Sequence, residues 1–444
     1  MANQSFDKRI EETPADDDRE VAVILKAVMP GDPSVKIGGV DPVAEIMALA
    51  DTAGLRVASA VLQKRDRPHP GTYVGRGKLE ELKQEAERVG AHVILVDDPI
   101  SPAQGRNIEE TTELRVVDRS ELIMDIFARN ARSHQAKIQV ELAQLQYFQS
   151  RLTRMWTHLS RMEGGEVGTR GPGETQLETD RRIIGKKISV LRDRLVDIEK
   201  QAHTQHKSRE GSFRIALVGY TNAGKSTILR RLTGADVLVE DRLFSTLDTS
   251  TRTWDLDVPF DVLLSDTVGF IRKLPHDLVA SFHATLMEAR EADLLLHIVD
   301  ASSLTVEFDI ESVERTLKRI ECENHQTLMI FNKLDQVGDE QMIDLQHLLG
   351  KWVGSFAVSA TEGTGLEKVI ERILEIARLR EERGEYLLPH SRSDLAARLR
   401  TLATVEREEF LDNGIFLEAR FEIGQKARWE KALRKVGLLP PITS

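Results

Sequence analysis

The sequence predicts an α/β fold, and three observations carry that reading. Short apolar runs alternate with helical patterns from Val21 to Asp118 and again from Phe213 to Leu379, the rhythm of sheets flanked by helices. One strand–helix junction in the second region reads Gly219-Tyr220-Thr221-Asn222-Ala223-Gly224-Lys225-Ser226, the G-x4-G-K-S spacing of a phosphate-binding P-loop. Between the two regions run two long apolar stripes at helical spacing, separated by a glycine-rich stretch.

At 444 residues the chain has room for about three domains. Hydrophobic residues make up 41% and charged ones 30%, so each unit can bury its own core. The single cysteine, Cys322, excludes an internal disulfide framework and a cysteine-based zinc cluster, and fits a reducing compartment. Residues 1–20 are polar and acidic without the pattern of a targeting peptide, and read as a disordered lead-in. No apolar run approaches the ~18 residues of a membrane span. A net charge of −11 argues against a uniformly basic nucleic-acid binder but allows a local basic surface.

Within residues 21–132, Val21–Val28, Leu55–Gln63, His92–Asp98 and Arg115–Asp118 read as strands. Helices fall on PVAEIMALADTAG, on Gly77–Gly90, and after Ser101, an N-cap followed by Pro102 in the first turn. This βαβ order predicts a small parallel sheet. Gly75-Arg76-Gly77-Lys78 lacks the full loop spacing and the hydroxyl after the lysine, so it reads as a helix start rather than a second phosphate site.

Residues 133–210 change character. Ile138, Leu142, Leu145, Leu152, Met155, Leu159 and Met162 keep a helical spacing, as do Leu177, Ile184, Ile188, Leu191, Leu195, Ile198 and Ala202. No helix tolerates the intervening Glu163–Gly173. Two helices and a glycine-rich tip make an antiparallel coiled-coil hairpin with the stripes as its seam. About 30 residues would carry the tip on the order of 45 Å outward. Basic residues crowd its flanks: Arg129, Arg132, Lys137, Arg151, Arg154, Arg161 and Arg170, then Arg181, Arg182, Lys186 and Lys187. His134, Tyr147, Trp156 and His158 interleave. Cations for phosphates and rings for bases are what an RNA contact requires; the alternative is a solvated or protein-docking face.

Residues 211–382 complete a P-loop unit. After the loop helix come the strand ending in Asp266, a helix near Pro275–Arg290, the strand Asp293–Ala301, a helix over Ile310–Glu323, the strand Thr327–Asp335, Phe356–Ala360 and an amphipathic helix. Residues 383–444 read as a small α/β appendage. It has a helix near Ser393–Arg400, strands around Ala403–Glu408 and Gly414–Glu422 joined at Asp412-Asn413-Gly414, and a helix over Gly424–Val436.

The loop chemistry follows from its residue types. Gly219 and Gly224 let backbone N–H groups and the helix N-terminus close on an anion. Lys225 puts a cation on the β/γ oxygens, and the Ser226 hydroxyl suits Mg²⁺. Asp266-Thr267-Val268-Gly269 ends an apolar strand, where an aspartate holds the Mg²⁺ shell and a glycine N–H faces the γ-phosphate. Asn332-Lys333-Leu334-Asp335 closes another strand. The Asp335 carboxylate can accept from N1–H and the 2-amino group of guanine, whereas adenine would leave it unpaired. Asn332 can bond the N7 side, Lys333 can pack along the base, and Ser359-Ala360 can offer an N–H to O6. GTP is therefore the expected substrate. The residue after DTVG is Phe270, whose ring cannot orient a water where many GTPases place a glutamine; slow intrinsic hydrolysis is expected. Asn222 stands where a group of GTPases uses an asparagine to bind K⁺.

With these residues assembled, the chain resembles the HflX family of ribosome-associated GTPases. The most specific match is Leu152–Arg182, LTRMWTHLSRMEGGEVGTRGPGETQLETDRR, supported by GTYVGRGKLEEL, DDPISPAQGRNIE and FSTLDTSTR. The resemblance implies a P-loop GTPase domain preceded by a small parallel α/β domain and an antiparallel helical hairpin, with a small α/β C-terminal domain. It implies GTP contacts from Gly219, Tyr220, Thr221, Asn222, Ala223, Gly224, Lys225 and Ser226; from Phe244, Ser245, Thr246, Leu247 and Asp248; from Asp266, Thr267, Val268 and Gly269; and from Asn332, Lys333, Leu334, Asp335, Ser359 and Ala360. Mg²⁺ would sit on Ser226 and Thr246, with Lys225, Thr246, Gly269 and Asn222 serving hydrolysis. Family members bind the 50S ribosomal subunit and its rRNA, some split stalled or idle ribosomes under stress, and some also hydrolyse ATP. The implied protein is a cytoplasmic monomer, with peripheral membrane association in some settings and no DNA partner. The alternative is a nucleotide-gated rRNA-binding or 50S assembly module without splitting activity. Two departures stand out: Thr249-Ser250 replaces an expected Pro-Thr, and the tip holds Gly164-Gly165 where members often have three glycines.

Overall fold

The computed structural model describes residues 19–162, 176–207, 211–234, 243–244, 250–273 and 283–438. Strands β1 (Glu20–Val28), β2 (Leu55–Lys64), β3 (Val93–Val96) and β4 (Arg115–Asp118) form a parallel sheet in the order β2-β1-β3-β4. It alternates with helices α1 (Pro33–Lys36), α2 (Ala44–Thr52), α3 (Arg76–Val89), α4 (Pro102–Thr112) and α5 (Arg119–Asn130). Helices cover both faces, so β1 is buried on both: Ala22 and Ile24 pack with α2 and α5, while Val23, Leu25 and Ala27 pack with α3 and α4. Ser101 caps α4 through a reciprocal capping box with Gln104. Gly75 caps the start of α3, which is the helix-start reading of the Gly75–Lys78 stretch. Helix α5 was not expected. Its Leu122, Ile123, Met124, Ile126 and Phe127 are all buried, so its apolar residues do not form the one-sided stripe that identifies a surface helix.

The hairpin consists of α6 (His134–Met162) and α7 (Gln176–Lys207). Ile138 and Leu142 meet Ile188, Leu191 and Leu195 in its seam, with Leu145, Ile184 and Ile198 partly buried beside them. Leu152, Met155, Leu159, Met162, Leu177 and Ala202 have side chains outside the described residues, as does the whole tip Glu163–Gly173. A second face of α6, Ala136, Val140 and Ala143, joins the core of the first sheet. This docking corrects part of the expected RNA surface. The Arg151 guanidinium donates to buried Asp118 (2.7 Å) and to the Ile100 carbonyl (2.9 Å), and lies over the Tyr147 ring. Arg129 donates to the Ala53 carbonyl (2.5 Å). Arg151 and Tyr147 hold α6 to the sheet, while Arg129, on α5, and Arg132, Lys137, Arg181 and Lys186 stay exposed.

The second sheet runs β10-β9-β8-β5-β7-β6. Its strands are β5 (Phe213–Gly219), β6 (Ser250–Trp254), β7 (Val262–Asp266), β8 (Leu294–Asp300), β9 (Thr327–Asn332) and β10 (Phe356–Ala357); only β6 is antiparallel to its neighbour. Its helices are α8 (Lys225–Thr233), α9 (His283–Arg290), α10 (Val306–Arg319), α11 (Asp339–Lys351) and α12 (Leu366–Arg378). Because β5 lies between β8 and β7, the loop leaving it opens at the carboxyl edge beside the ends of β7 and β9, where ligands of such sheets bind. Helix α11 escaped the sequence reading.

A third, antiparallel sheet has the order β11-β13-β12, from β11 (Glu381–Leu388), β12 (Thr404–Leu411) and β13 (Gly414–Glu422), covered by α13 (Ser393–Leu402) and α14 (Gln425–Lys435). Strand β11 was also unexpected: it follows α12 closely, without a glycine or proline break, and only its Gly384, Tyr386 and Leu388 are buried. Arg420 joins this sheet to the preceding one. It is buried and reaches Asp257 (2.6 Å), Glu381 (3.2 Å) and Glu406 (2.8 Å).

Candidate functional site

The phosphate loop is shaped by its glycines. Gly219 has φ 156°, and a Cβ there would stand 2.2 Å from the Ile298 carbonyl oxygen. Gly224, at φ 90°, caps α8, and its Cβ would meet Asn332 Nδ2 at 2.2 Å. Neither position admits a side chain. Lys225 is buried, with Nζ donating to the carbonyls of Tyr220 (2.9 Å) and Gly219 (3.3 Å). Burial pulls its ammonium down to about 8, against the pull of Asp266; a bound polyphosphate would favour the charged form.

The Asp266–Phe270 stretch packs against this loop. Ser226 Oγ donates to Asp266 Oδ2 (2.5 Å), and Asp266 is fully buried. A hydroxyl and a carboxylate converging beside a phosphate loop suit a hard divalent cation. Thr267 Oγ1 donates to the Leu217 carbonyl (2.6 Å). The Phe270 N–H donates to the Gly219 carbonyl (3.1 Å), and the Thr221 N–H to the Phe270 carbonyl (2.8 Å). Gly269 lies so close that a Cβ would sit 2.9 Å from Thr221 Cα and 3.1 Å from Lys225 Nζ. The Phe270 ring is buried with Ala216, Val218 and Leu295, pointing into the core rather than toward a reacting water.

On the base side, Asp335 Oδ1 accepts from the Ser359 hydroxyl (2.6 Å), which fixes the carboxylate. Lys333 adopts φ 64° and pairs with Asp300 (2.8 Å), and the Leu334 N–H donates to the Val358 carbonyl (3.0 Å). Asn332 Nδ2 donates to the Ala223 carbonyl (2.9 Å) and its Oδ1 accepts the Ala360 N–H (3.0 Å). It thereby ties the phosphate loop to the Ser359–Ala360 turn, and the Ala360 N–H expected for O6 donates here to Asn332. The Ser359 N–H goes to the Thr364 carbonyl (3.0 Å).

Of the Phe244–Asp248 stretch, only Phe244 lies within the described residues; Ser245, Thr246, Leu247 and Asp248 lie outside them. Phe244 joins the core of the first sheet together with Val268 and Ile271. Its ring packs edge-on against Phe127 of α5, with centroids 4.6 Å apart, and its carbonyl accepts from Asn130 Nδ2 (2.8 Å). Tyr220 likewise sends its hydroxyl out of the loop, to Glu45 of α2 (2.6 Å).

Glu45 belongs to an ionic cluster that sequence reading missed. Arg119, almost wholly buried, reaches Glu45 (2.5 Å) and Asp97 (2.6 Å); Lys26 reaches Asp97 and Asp32, both at 2.8 Å. Arg272 reaches Glu45 (2.6 Å), and Lys273 reaches Asp98 (2.5 Å). The one available signal was charge within otherwise apolar runs, such as Glu45 before IMALA and Asp97-Asp98 after VILV. Burial alone would raise the Asp97 carboxyl, but Arg119 and Lys26 hold it down at about 2; Arg119 and Arg272 likewise hold Glu45 below its usual range. Folded pKa values below the unfolded ones mean stability that is present above about pH 4 and lost as pH falls toward 2. For Asp97 this is on the order of 2 kcal/mol. Arg119→Met should therefore lower the melting temperature at neutral pH, with the gap to the parent narrowing as pH falls toward 2, as circular dichroism melts would show.

Matches to known proteins cover most of the chain. Residues 41–128 match the family described as GTP-binding GTPase N-terminal, 130–209 GTP-binding GTPase Middle Region, and 214–333 50S ribosome-binding GTPase. GTPase HflX of Escherichia coli (strain K12) is 43% identical over 385 residues, 85% of this chain and 89% of that protein. The chain belongs to the HflX family. GTPase HflX of Lacrimispora saccharolytica is 40% identical over 402 residues, 90% of this chain and 93% of that one. A crystal structure of a GTP-binding protein from Sulfolobus solfataricus with GDP aligns at 24% identity and TM-score 0.40, over 81% of this chain and 99% of that one; at that score the likeness carries no argument. As an HflX family member the chain is a GTP hydrolase, and its α/β architecture is that of a P-loop GTPase with N-terminal domains.

Proposed function

We propose that this HflX family member binds the large (50S) ribosomal subunit in its GTP form and splits or remodels stalled or idle ribosomes. The observation that carries the reading is the joining of one rigid frame to two different parts. The sheet that shares its core with α6 also holds Phe244 and the segment after Gly269, so the nucleotide loops and the hairpin share one support. The description of the residue 214–333 match, 50S ribosome-binding GTPase, agrees with a ribosomal partner. The working parts are residues 21–132, the hairpin 133–210, the GTPase unit 211–382 and the appendage 383–444, in a cytoplasmic monomer.

In the hydrolysis reaction Lys225 neutralises β/γ oxygens, the Gly269 N–H faces the γ-phosphate, and Asp335 selects guanine. Ser226 and Thr246 would hold Mg²⁺, with Asp266 behind Ser226, and the ion would supply neutralising charge to the phosphates. With Phe270 turned into the core, intrinsic hydrolysis is slow and the ribosome accelerates it. Exposed Arg132, Lys137, Arg181 and Lys186 supply phosphate contacts. Pelleting with purified 50S subunits tests the reading: retention with a non-hydrolysable GTP analogue, loss with GDP, and a steep salt slope are expected. Equal pelleting in both nucleotide states would overturn it.

Asn222, at φ 60° in the phosphate loop, is assigned to K⁺. GTPase activity should be higher in KCl than in NaCl, and Asn222→Ala should remove the difference. Equal parental rates in the two salts would remove the assignment.

A further inference from the structure

The Glu45 carboxylate is shared by three chain segments, two of them in the catalytic loops. Its Oε1 accepts from the Tyr220 hydroxyl (2.6 Å), and its Oε2 accepts from Arg272 Nε (2.8 Å). The Arg272 N–H in turn donates to the Tyr220 hydroxyl (2.9 Å). Arg119, anchored on Asp97, holds Glu45 from behind. Tyr220 is the second residue of the phosphate loop, and Arg272 stands three residues after Gly269. Between them, backbone bonds join Gly219 and Thr221 to Phe270.

This geometry makes a closed frame. Tyr220 cannot shift relative to Arg272 without breaking a hydrogen bond of a largely buried carboxylate, which is costly. Gly269 sits inside the frame, within van der Waals reach of Thr221 and Lys225. Moving either edge changes the separation between the Gly269 N–H and the Lys225 ammonium. Those are the two donors that must face the same phosphoryl group, and sub-ångström errors in such alignments lower rates steeply. Peripheral glue would have no such consequence: the buried Arg420 also forms an inter-sheet ion cluster, yet its partners Asp257, Glu381 and Glu406 belong to neither loop.

We infer that Glu45, from the N-terminal sheet unit, is a positioning residue for GTP hydrolysis, acting through Tyr220 and Arg272 to set Gly269 against Lys225. It contacts no nucleotide and acts after binding.

The test uses full-length protein, steady-state GTP hydrolysis and fluorescent-GDP titration. Tyr220→Phe removes one oxygen and keeps the ring; Glu45→Gln keeps an acceptor for the phenol and loses the charge. Both should lower kcat about tenfold while the GDP Kd stays within about twofold. Their double variant should be no slower than the slower single, as for two members of one unit. Arg272→Lys, which keeps a cation, should retain more activity than Arg272→Met. Arg420→Met should lower the melting temperature while kcat stays normal. Unchanged kcat in folded Tyr220→Phe would overturn the inference, as would a parallel loss of GDP affinity or an equal fall of kcat in Arg420→Met. Should Glu45→Gln fail to fold, Tyr220→Phe decides alone.

Discussion

Asp335→Asn should weaken GTP binding by at least about a hundredfold and admit xanthosine triphosphate. The carboxylate is placed by the Ser359 hydroxyl on Oδ1, and by the proposed assignment it accepts the guanine N1–H and 2-amino group. Hydrogen bonds to a charged group contribute about 1.5–3 kcal/mol each, so losing two corresponds to roughly 10²–10⁴ in affinity. An asparagine amide accepts once and donates once, which matches the N1–H and 2-carbonyl of xanthine. Ser359 can bond an amide oxygen as well as a carboxylate, so the melting temperature should hardly move. Titration with labelled GTP and xanthosine triphosphate reads both effects. Unchanged GTP affinity would move the guanine site elsewhere.

Replacing Gly164–Gly173 by a short linker should abolish ribosome binding and ribosome-stimulated GTPase while leaving the GDP Kd unchanged. The described seam, Ile138 and Leu142 against Ile188, Leu191 and Leu195, lies at the root of the hairpin, and α6 is also held by the Arg151–Asp118 pair. The root therefore folds without the tip. A helix of 29 residues at 1.5 Å per residue is about 44 Å long, and its described seam is with α7. A loss of GDP affinity in the shortened variant would contradict this separation.

The parts legible in the sequence were those whose signal is local. The phosphate loop, the strand-end Asp266–Gly269, the described part of the hairpin seam and the four strands of the first sheet each rest on a spacing that one segment carries by itself. The misses share a different cause. Helix α5 is buried on nearly every side, so its periodicity vanishes; β11 buries only Gly384, Tyr386 and Leu388 and follows a helix without punctuation. The bonds by which the Asn332 amide joins Ala223 to Ala360 were not legible, because those residues are distant in the chain. Arg151 and Tyr147 looked like RNA contacts because charge runs do not reveal their partners. Phe244 and Tyr220 turn to Phe127 and Glu45, pairings that only the packing of the first sheet against the second creates.

The central claim is that nucleotide state drives action on the ribosome. It is tested most directly by sucrose-gradient sedimentation of 70S ribosomes with the full-length protein and either GDP or a non-hydrolysable GTP analogue. With the analogue, the 70S peak should convert to free 50S and 30S, and the protein should travel with 50S; with GDP the 70S peak should persist. An intact 70S peak under both conditions, with the protein left at the top of the gradient, would contradict the account.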